Sequence, residues 1–361
     1  MFKAEELFQN ITDKNHPDET VLTIIQGKGT LPREQAGRNI HYDDASLSNY
    51  KKVEQGDFII HLRSFEGGLE MANEAGIVSP AYTILRCKRP HSSLFYDAFF
   101  HTDEFINHNL SKSVEGIRDG RQISYEAFKW LGIPYCEPTE QEKISNLFAA
   151  LNERIAKQRD LVESLKKYKR GVTEAIFTKD LRFTTKGVPY PQWDKKYVGD
   201  ICKIQTGKSN TQDETSQGSY PFYVRSPIIR KSNRYLFDCE AVLTVGDGVG
   251  TGKVFHYVTG KFDLHQRVYA MTDFKIVSGK YFYYYFSHFF YDRVMRMTAK
   301  TSVDSVRYEM IDKMTIQIPC HEEQQQIVSF LDCLEHSVIE AEKTLNLLEK
   351  LKSGCLQQLF I

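Results

Sequence analysis

Two stretches of the chain repeat apolar residues three or four positions apart. The first runs Ile144, Leu147, Leu151, Ile155, Val162, Leu165, Tyr168, Val172, Ile176. The second runs Ile327, Phe330, Leu334, Val338, Leu345, Leu348, Leu351, Cys355, Leu359. This near-heptad stripe marks a long amphipathic helix whose apolar face needs a partner. Proline followed by acid opens each: Pro134, Pro138 and Glu140, then Pro319, Glu322 and Glu323, as suits a helix N-terminus. Elsewhere the pattern changes to short apolar runs bounded by turn residues. VLTIIQG, GDFIIHLRS, PAYTILRC, CEAVLTVGDG, GKVFHYV and QRVYAMT predict strands. KYFYYYFSHFFYDRV predicts an aromatic helix with one face in a core.

The two stripes are copies. Shifted by 183 residues, Glu140-Gln141 falls on Glu323-Gln324, Ile144 on Ile327, Leu151 on Leu334, Leu165 on Leu348 and Phe177 on Phe360, without a gap. Upstream, Tyr125-Glu126 falls on Tyr308-Glu309, and the pairs Ile133-Pro134 and Ile318-Pro319 are displaced by two residues. So long a period is a duplicated unit of globular domain plus helix, not a solenoid. The expected organisation is a globular domain at 1–135, a helix at 136–180, a second domain at 181–320 and a second helix at 321–361. The fold class is α+β. Each stripe either packs on its own domain or on the other stripe, and the second is the sharper reading. It makes an antiparallel coiled coil with Ile144, Leu151, Ile155, Leu165, Ile327, Leu334, Val338 and Leu348 at its core. Each helix also keeps a glycine near its end, Gly171 in KKYKRGVTEAIF and Gly354 in LEKLKSGCLQQLF. A helical glycine costs about 1 kcal/mol relative to alanine, so these are expected where two backbones approach closely.

Composition changes the picture little. The 361 residues allow more than one core, and the 47 basic and 47 acidic residues cancel. Neutrality argues mildly against a simple nucleic-acid binder, though the distribution of charge matters more than its sum. No apolar run approaches the ~20 residues of a membrane span, and the start, MFKAEELFQN, lacks a secretory pattern. A cytoplasmic protein is expected. Seven scattered cysteines without a C-x-x-C pair predict reduced thiols and no metal site.

Catalytic motifs do not survive inspection. GDGVGTGKV (246–254) has Asp247 where a phosphate loop needs its first glycine, and Val254 where it needs Ser or Thr. H-E-x-x-H, G-x-S-x-G and N-P-P-Y are missing from the sequence. What both domains do carry is basic residues on turn-like segments: Lys28, Arg33, Arg38, Arg63 with Ser64, Arg118 and Arg121 in the first, and Lys208, Arg225 with Ser226, Arg230 and Arg234 in the second. Such residues suit contact with phosphates and base edges. Any one of them alone reads equally as an ordinary solvated charge.

Taken together, the duplicated helices and the elements LRSFEGGLE, GIVSPAYTIL, TGKSN, YPFYVRS and V-G-D-G resemble the specificity subunits of type I restriction-modification systems, over essentially the whole chain. One departure is that YPQWDKKYVGDI opens the second unit with a tryptophan, whereas the first unit opens with FKAEELFQNI and has no matching tryptophan there. The resemblance implies two target-recognition domains separated by two helical spacers. It implies a non-catalytic subunit in which each domain reads one half of a bipartite, asymmetric double-stranded DNA target, while the helices set the spacing and dock partners. Those partners would be two modification subunits using S-adenosylmethionine, and restriction subunits using ATP and Mg; no cofactor is implied for this chain. A specificity subunit of a related type II system that cuts near its site is the nearer alternative. An unrecognised enzyme and a coiled-coil scaffold without DNA are the remaining ones.

Overall fold

The computed structural model describes residues 1–36, 44–116, 122–248, 250–297 and 305–360. Its contacts divide the chain into two compact units, Met1–Asp160 with Lys343–Ile361, and Leu161–Glu342. No helix among the described residues is long and apolar enough to cross a membrane.

In the first unit an antiparallel sheet orders its strands Phe8–Ile11, Thr83–Cys87, Phe58–Ile60, Glu70–Met71. The second unit contains the same order as Lys203–Thr206, Val268–Thr272, Ala241–Val245, Phe255–Val258. The duplication therefore reaches the sheets, where little sequence identity marks it. Ala241–Val245 is buried at every position, as suits a run inside a covered sheet that is apolar except for Thr244. The second unit adds another sheet ordered Arg230–Ser232, Tyr220–Tyr223, Lys261–Leu264, Phe237–Asp238, in which Tyr220–Tyr223 and Lys261–Leu264 run parallel. The aromatic helix forms as expected, at Gly279–Met297.

A short strand precedes each long helix. Lys3 lies opposite Gly132, and Tyr197 opposite Thr315, where Gly132 and Thr315 are again 183 residues apart. In the second unit this pairing continues for two more residues, to Asp194 opposite Ile318. That lengthened strand is why the Ile-Pro pairs are displaced by two.

The long helices are Pro138–Thr178 and His321–Leu359. Where they meet, they run antiparallel. In the first unit the Phe148 and Phe360 rings stack at 6.2 Å, and Arg159 pairs with Glu349 at 2.6 Å. In the second, Lys166 pairs with Glu342 at 2.8 Å and Lys169 with Glu335. The helices also enter the cores of the globular parts. Phe360 lies against Phe95 and Phe99, at 5.1 and 5.5 Å between ring centres. Its repeat counterpart Phe177 lies against Tyr281 and Tyr285, at 5.9 and 5.1 Å. Each repeated phenylalanine is thus seated in the other copy's domain. Both expected destinations of the stripe are real: Ile155, Val162, Ile327 and Val338 are buried, and Ile144, Leu151, Leu165, Leu334 and Leu348 are half-buried. Leu147, Tyr168, Leu351 and Leu359 are exposed, so the stripe is narrower than the sequence pattern.

The repeated Gln is a second point of attachment. Gln141 accepts a hydrogen bond from the Ser92 N–H at 2.9 Å and donates to the Cys136 carbonyl at 2.8 Å. Gln324 accepts from the Ser278 N–H at 2.9 Å and donates to the Pro319 carbonyl at 3.0 Å. Ser92 and Ser278 immediately precede the helices Ser93–Phe100 and Gly279–Met297, where backbone N–H groups lack intrahelical partners. Both glutamines are buried. One side chain per copy therefore ties a long helix to the start of a domain helix.

The glycine expectation fails. A Cβ added at Gly171 or Gly354 would meet nothing within 4 Å among the described residues. No described backbone approaches either position, and the structure supplies no packing reason for these residues.

Candidate nucleic-acid interface

In the second unit, three loops converge because their strands do. The parallel pairing of Phe222 with Asp263 and Tyr223 with Leu264 puts two strand ends side by side, and a bridge from Ser209 to His265 adds a third segment. Two close approaches there need glycine. A Cβ at Gly207 would lie 1.9 Å from the Leu264 carbonyl oxygen, and one at Gly246 would lie 2.6 Å from that of Arg267. The result is a concave surface of about 360 Å³ lined by Asn210, Thr211, Gln212, Arg225, His265, Gln266 and Arg267.

The surface is polar and supported from beneath. Asp263, buried under it, accepts hydrogen bonds from the Ser209 and Ser232 hydroxyls at 2.7 and 2.9 Å. Gln266 donates to Asn210 at 2.6 Å. Asp247 lies 3.4 Å from Arg225 and 3.8 Å from Arg267. The residue that spoils the phosphate-loop pattern is therefore the carboxylate between two exposed guanidinium groups. Burial lowers the pKa of His265, and Arg225 lowers it further, so this imidazole is neutral near pH 7 and can accept as well as donate. Its Nδ1 accepts from the Arg267 N–H at 3.0 Å. Amide and guanidinium groups of this kind are those that read base edges.

The expected basic residues divide. Arg225 lines the surface and Lys208 is exposed nearby in sequence. Arg230 is held by both Glu214 oxygens at 2.7 Å. Arg234 bonds Ser209 and Asp213, each at 2.9 Å. Ser226 is half-buried and donates to the Ile228 carbonyl at 3.5 Å. Gln212, Gln266 and Arg267 were not singled out from sequence. Nothing local marks them, and only strand register brings them together.

In the first unit, Lys28 is exposed on the hairpin between Leu22–Ile25 and Gly29–Pro32. The Gly27 and Gly29 N–H groups on either side of it donate to the buried Glu70 carboxylate at 2.6 and 2.8 Å. Burial works to raise the Glu70 pKa, but hydrogen bonds from His101 and these two N–H groups outweigh it, and the net direction is down. Arg33 lies over the Tyr50 ring at 5.9 Å, and Arg63 is exposed beside the equally exposed Leu62. Ser64 is not a surface group: it is buried and accepts from the His61 N–H at 2.8 Å, which closes a turn. Arg38, Arg118 and Arg121 lie outside the described residues.

Comparison with known proteins gives consistent results. Residues 190–352 match the family described as the type I restriction modification DNA specificity domain. The chain is 27% identical over 142 residues to the type I restriction enzyme EcoDI specificity subunit of Escherichia coli, covering 39% of this chain and 31% of that protein. It is 24% identical over 187 residues to the type I restriction enzyme MjaVIII specificity subunit of Methanocaldococcus jannaschii, covering 48% of this chain and 43% of that one. The matches thus span less than half the length of either relative. Among solved structures, the type I restriction-modification S subunit of M. genitalium superposes with a TM-score of 0.65 at 13% identity, covering 100% of this chain and 95% of that one. The HsdS subunit of Thermoanaerobacter tengcongensis gives 0.53 at 16% identity, covering 99% and 95%. At such identities the likeness is one of fold.

Proposed function

We propose that this chain is a specificity subunit of the type I restriction-modification kind, that it recognises double-stranded DNA and that it performs no chemistry itself. Each unit would read one half of a bipartite target. The observation that carries this reading is the second unit's concave surface, where Asn210, Gln212, Gln266, Arg225 and Arg267 converge. Amides and guanidinium groups on facing loops match the donor and acceptor pattern of the major groove. The exposed Lys208 would contact phosphate, which positions without specifying. Both named relatives belong to type I systems, which favours that assignment over a type II one.

The long helices would set the spacing between half-sites and dock the modification subunits. Exposed apolar residues support docking: Leu147, Leu347 and Leu351 in the first unit, Leu161 and Tyr168 in the second. S-adenosylmethionine, ATP and Mg would be used by the modification and restriction subunits. The test is binding of the chain, with its modification subunit, to a DNA library at several salt concentrations. Sequence-selective binding that weakens steeply with salt is expected. Equal affinity for all sequences would overturn the reading.

A further inference from the structure

The stretch RSPIIRKSNR, residues 225–234, holds four cationic residues and no acid. At its centre Ile228 and Ile229 are 65% and 50% exposed. They do not sit on a loose loop. The flanking strands pair Phe222 with Arg230, so residues 224–229 form a hairpin tip. Pro227 fixes one backbone angle, the Ser226 hydroxyl bonds the Ile228 carbonyl, and Arg230 is clamped by Glu214. Arg225, on the same hairpin, lines the concave polar surface. Ile228 is three residues away, within about 10 Å of chain. An exposed pair of β-branched side chains beside the proposed reading surface gains nothing from water and has little rotamer freedom to lose on contact.

The neighbouring charges select the occupant. Arg230 and Arg234 are held by Glu214 and Asp213, which leaves the exposed Lys231 and the surface-lining Arg225, itself 3.4 Å from Asp247, as the cations beside the tip that a nucleic acid would meet. The apolar group that duplex DNA offers at its major-groove edge is the thymine C5-methyl. We propose that Ile228 and Ile229 are specificity-determining residues that recognise a thymine methyl in the half-site read by the second unit. This rests on the DNA-reading assignment above and adds a base identity to it.

The experiment uses the full chain with its modification subunit, on a target located by adenine-methylation mapping. The half-site whose selectivity is lost in Arg225→Ala belongs to the second unit. Each thymine there is replaced singly by deoxyuridine, which removes only the methyl. Wild type should lose about fourfold in affinity at one or two of these positions, the worth of one buried methyl. The double variant Ile228→Ser/Ile229→Ser should bind the thymine duplex about that much more weakly and be indifferent to deoxyuridine. Both side chains are exposed, so its thermal melting should match wild type. Indifference of wild type to every deoxyuridine, or an unchanged response in the double variant, overturns the proposal. So does isoleucine-dependent brightening of a 2-aminopurine placed beside the responsive thymine, which would make the tip a wedge between base pairs. If the DNA-reading assignment itself is wrong, the failure looks different: wild type shows no selective binding and Arg225→Ala changes nothing.

Discussion

Glu323 and Glu140 occupy equivalent places in the repeat and opposite surroundings. Glu323 is fully buried, receives two hydrogen bonds from Arg182 at 2.7 and 3.0 Å, and accepts from the Trp193 indole N–H at 2.8 Å. Glu140 is exposed, and the strand Phe2–Lys3 that corresponds to Trp193's neighbourhood carries no tryptophan. Removing one partner of a buried ion pair leaves a charge uncompensated, so Arg182→Met should cost about 3–5 kcal/mol in urea unfolding. Glu140→Gln should stay within about 0.5 kcal/mol. Equal effects would contradict this asymmetry. A second residue-scale prediction concerns His101. Burial works to lower its pKa, but the Glu70 hydrogen bond and Asp97 prevail, and the net direction is up. A raised folded pKa means stability that is fully present below the unfolded value near 6.5 and lost as pH rises through the folded one. NMR titration should find the His101 midpoint above 6.5, and Glu70→Gln should lower it; a midpoint below 6.5 would contradict the pairing. Sequence showed which residues were charged but not how they were spent. Arg230 and Arg234 look free until Glu214 and Asp213, 16 and 21 residues away, are placed beside them. Arg267 looks ordinary until strand register sets it across Asp247 from Arg225.

At the scale of elements, periodicity made the helices legible because apolar residues at 3.6-residue spacing share one face only when the backbone is helical. The strands were legible where apolar and β-branched residues ran together, as in Ala241–Val245. What joins helix to domain was not. Glu140-Gln141 and Glu323-Gln324 stood out as repeated letters, but the roles of the two glutamines depend on Ser92 and Ser278, 49 and 46 residues away. Gln324→Leu should leave the Ser278 N–H unpaired and cost about 1–3 kcal/mol, and Gln141→Leu should do the same at Ser92. Chemical denaturation measures both, and no loss in either would show that the clamp is incidental. The glycines misled because a propensity cost invites a packing explanation, and the space around both is open. Gly171→Ala and Gly354→Ala should therefore each stabilise the chain by about 0.5–1 kcal/mol. Destabilisation by either would mean that a close contact exists there after all.

For the molecule as a whole, the duplication explains more than any single site. Two units repeat a sheet order, a glutamine clamp and a seated phenylalanine, yet their loops differ in sequence, as the proposed reading of two different half-sites would require. Zero net charge fits the proposed function, since Asp247, Glu214 and Asp213 each hold an arginine of the second unit and the proposed partner subunits would share the phosphate contacts. On the proposed function, the second unit's converging loops read one half of the target independently of the first unit. The most direct measurement is adenine-methylation mapping with the modification subunit, comparing wild type with Arg225→Ala, Arg267→Ala and Gln266→Ala. Each variant should relax selectivity at base pairs of the same half-site, by about 1–3 kcal/mol for a bidentate base contact, and leave the other half unchanged. Selectivity lost equally in both halves, or in neither, would contradict the account.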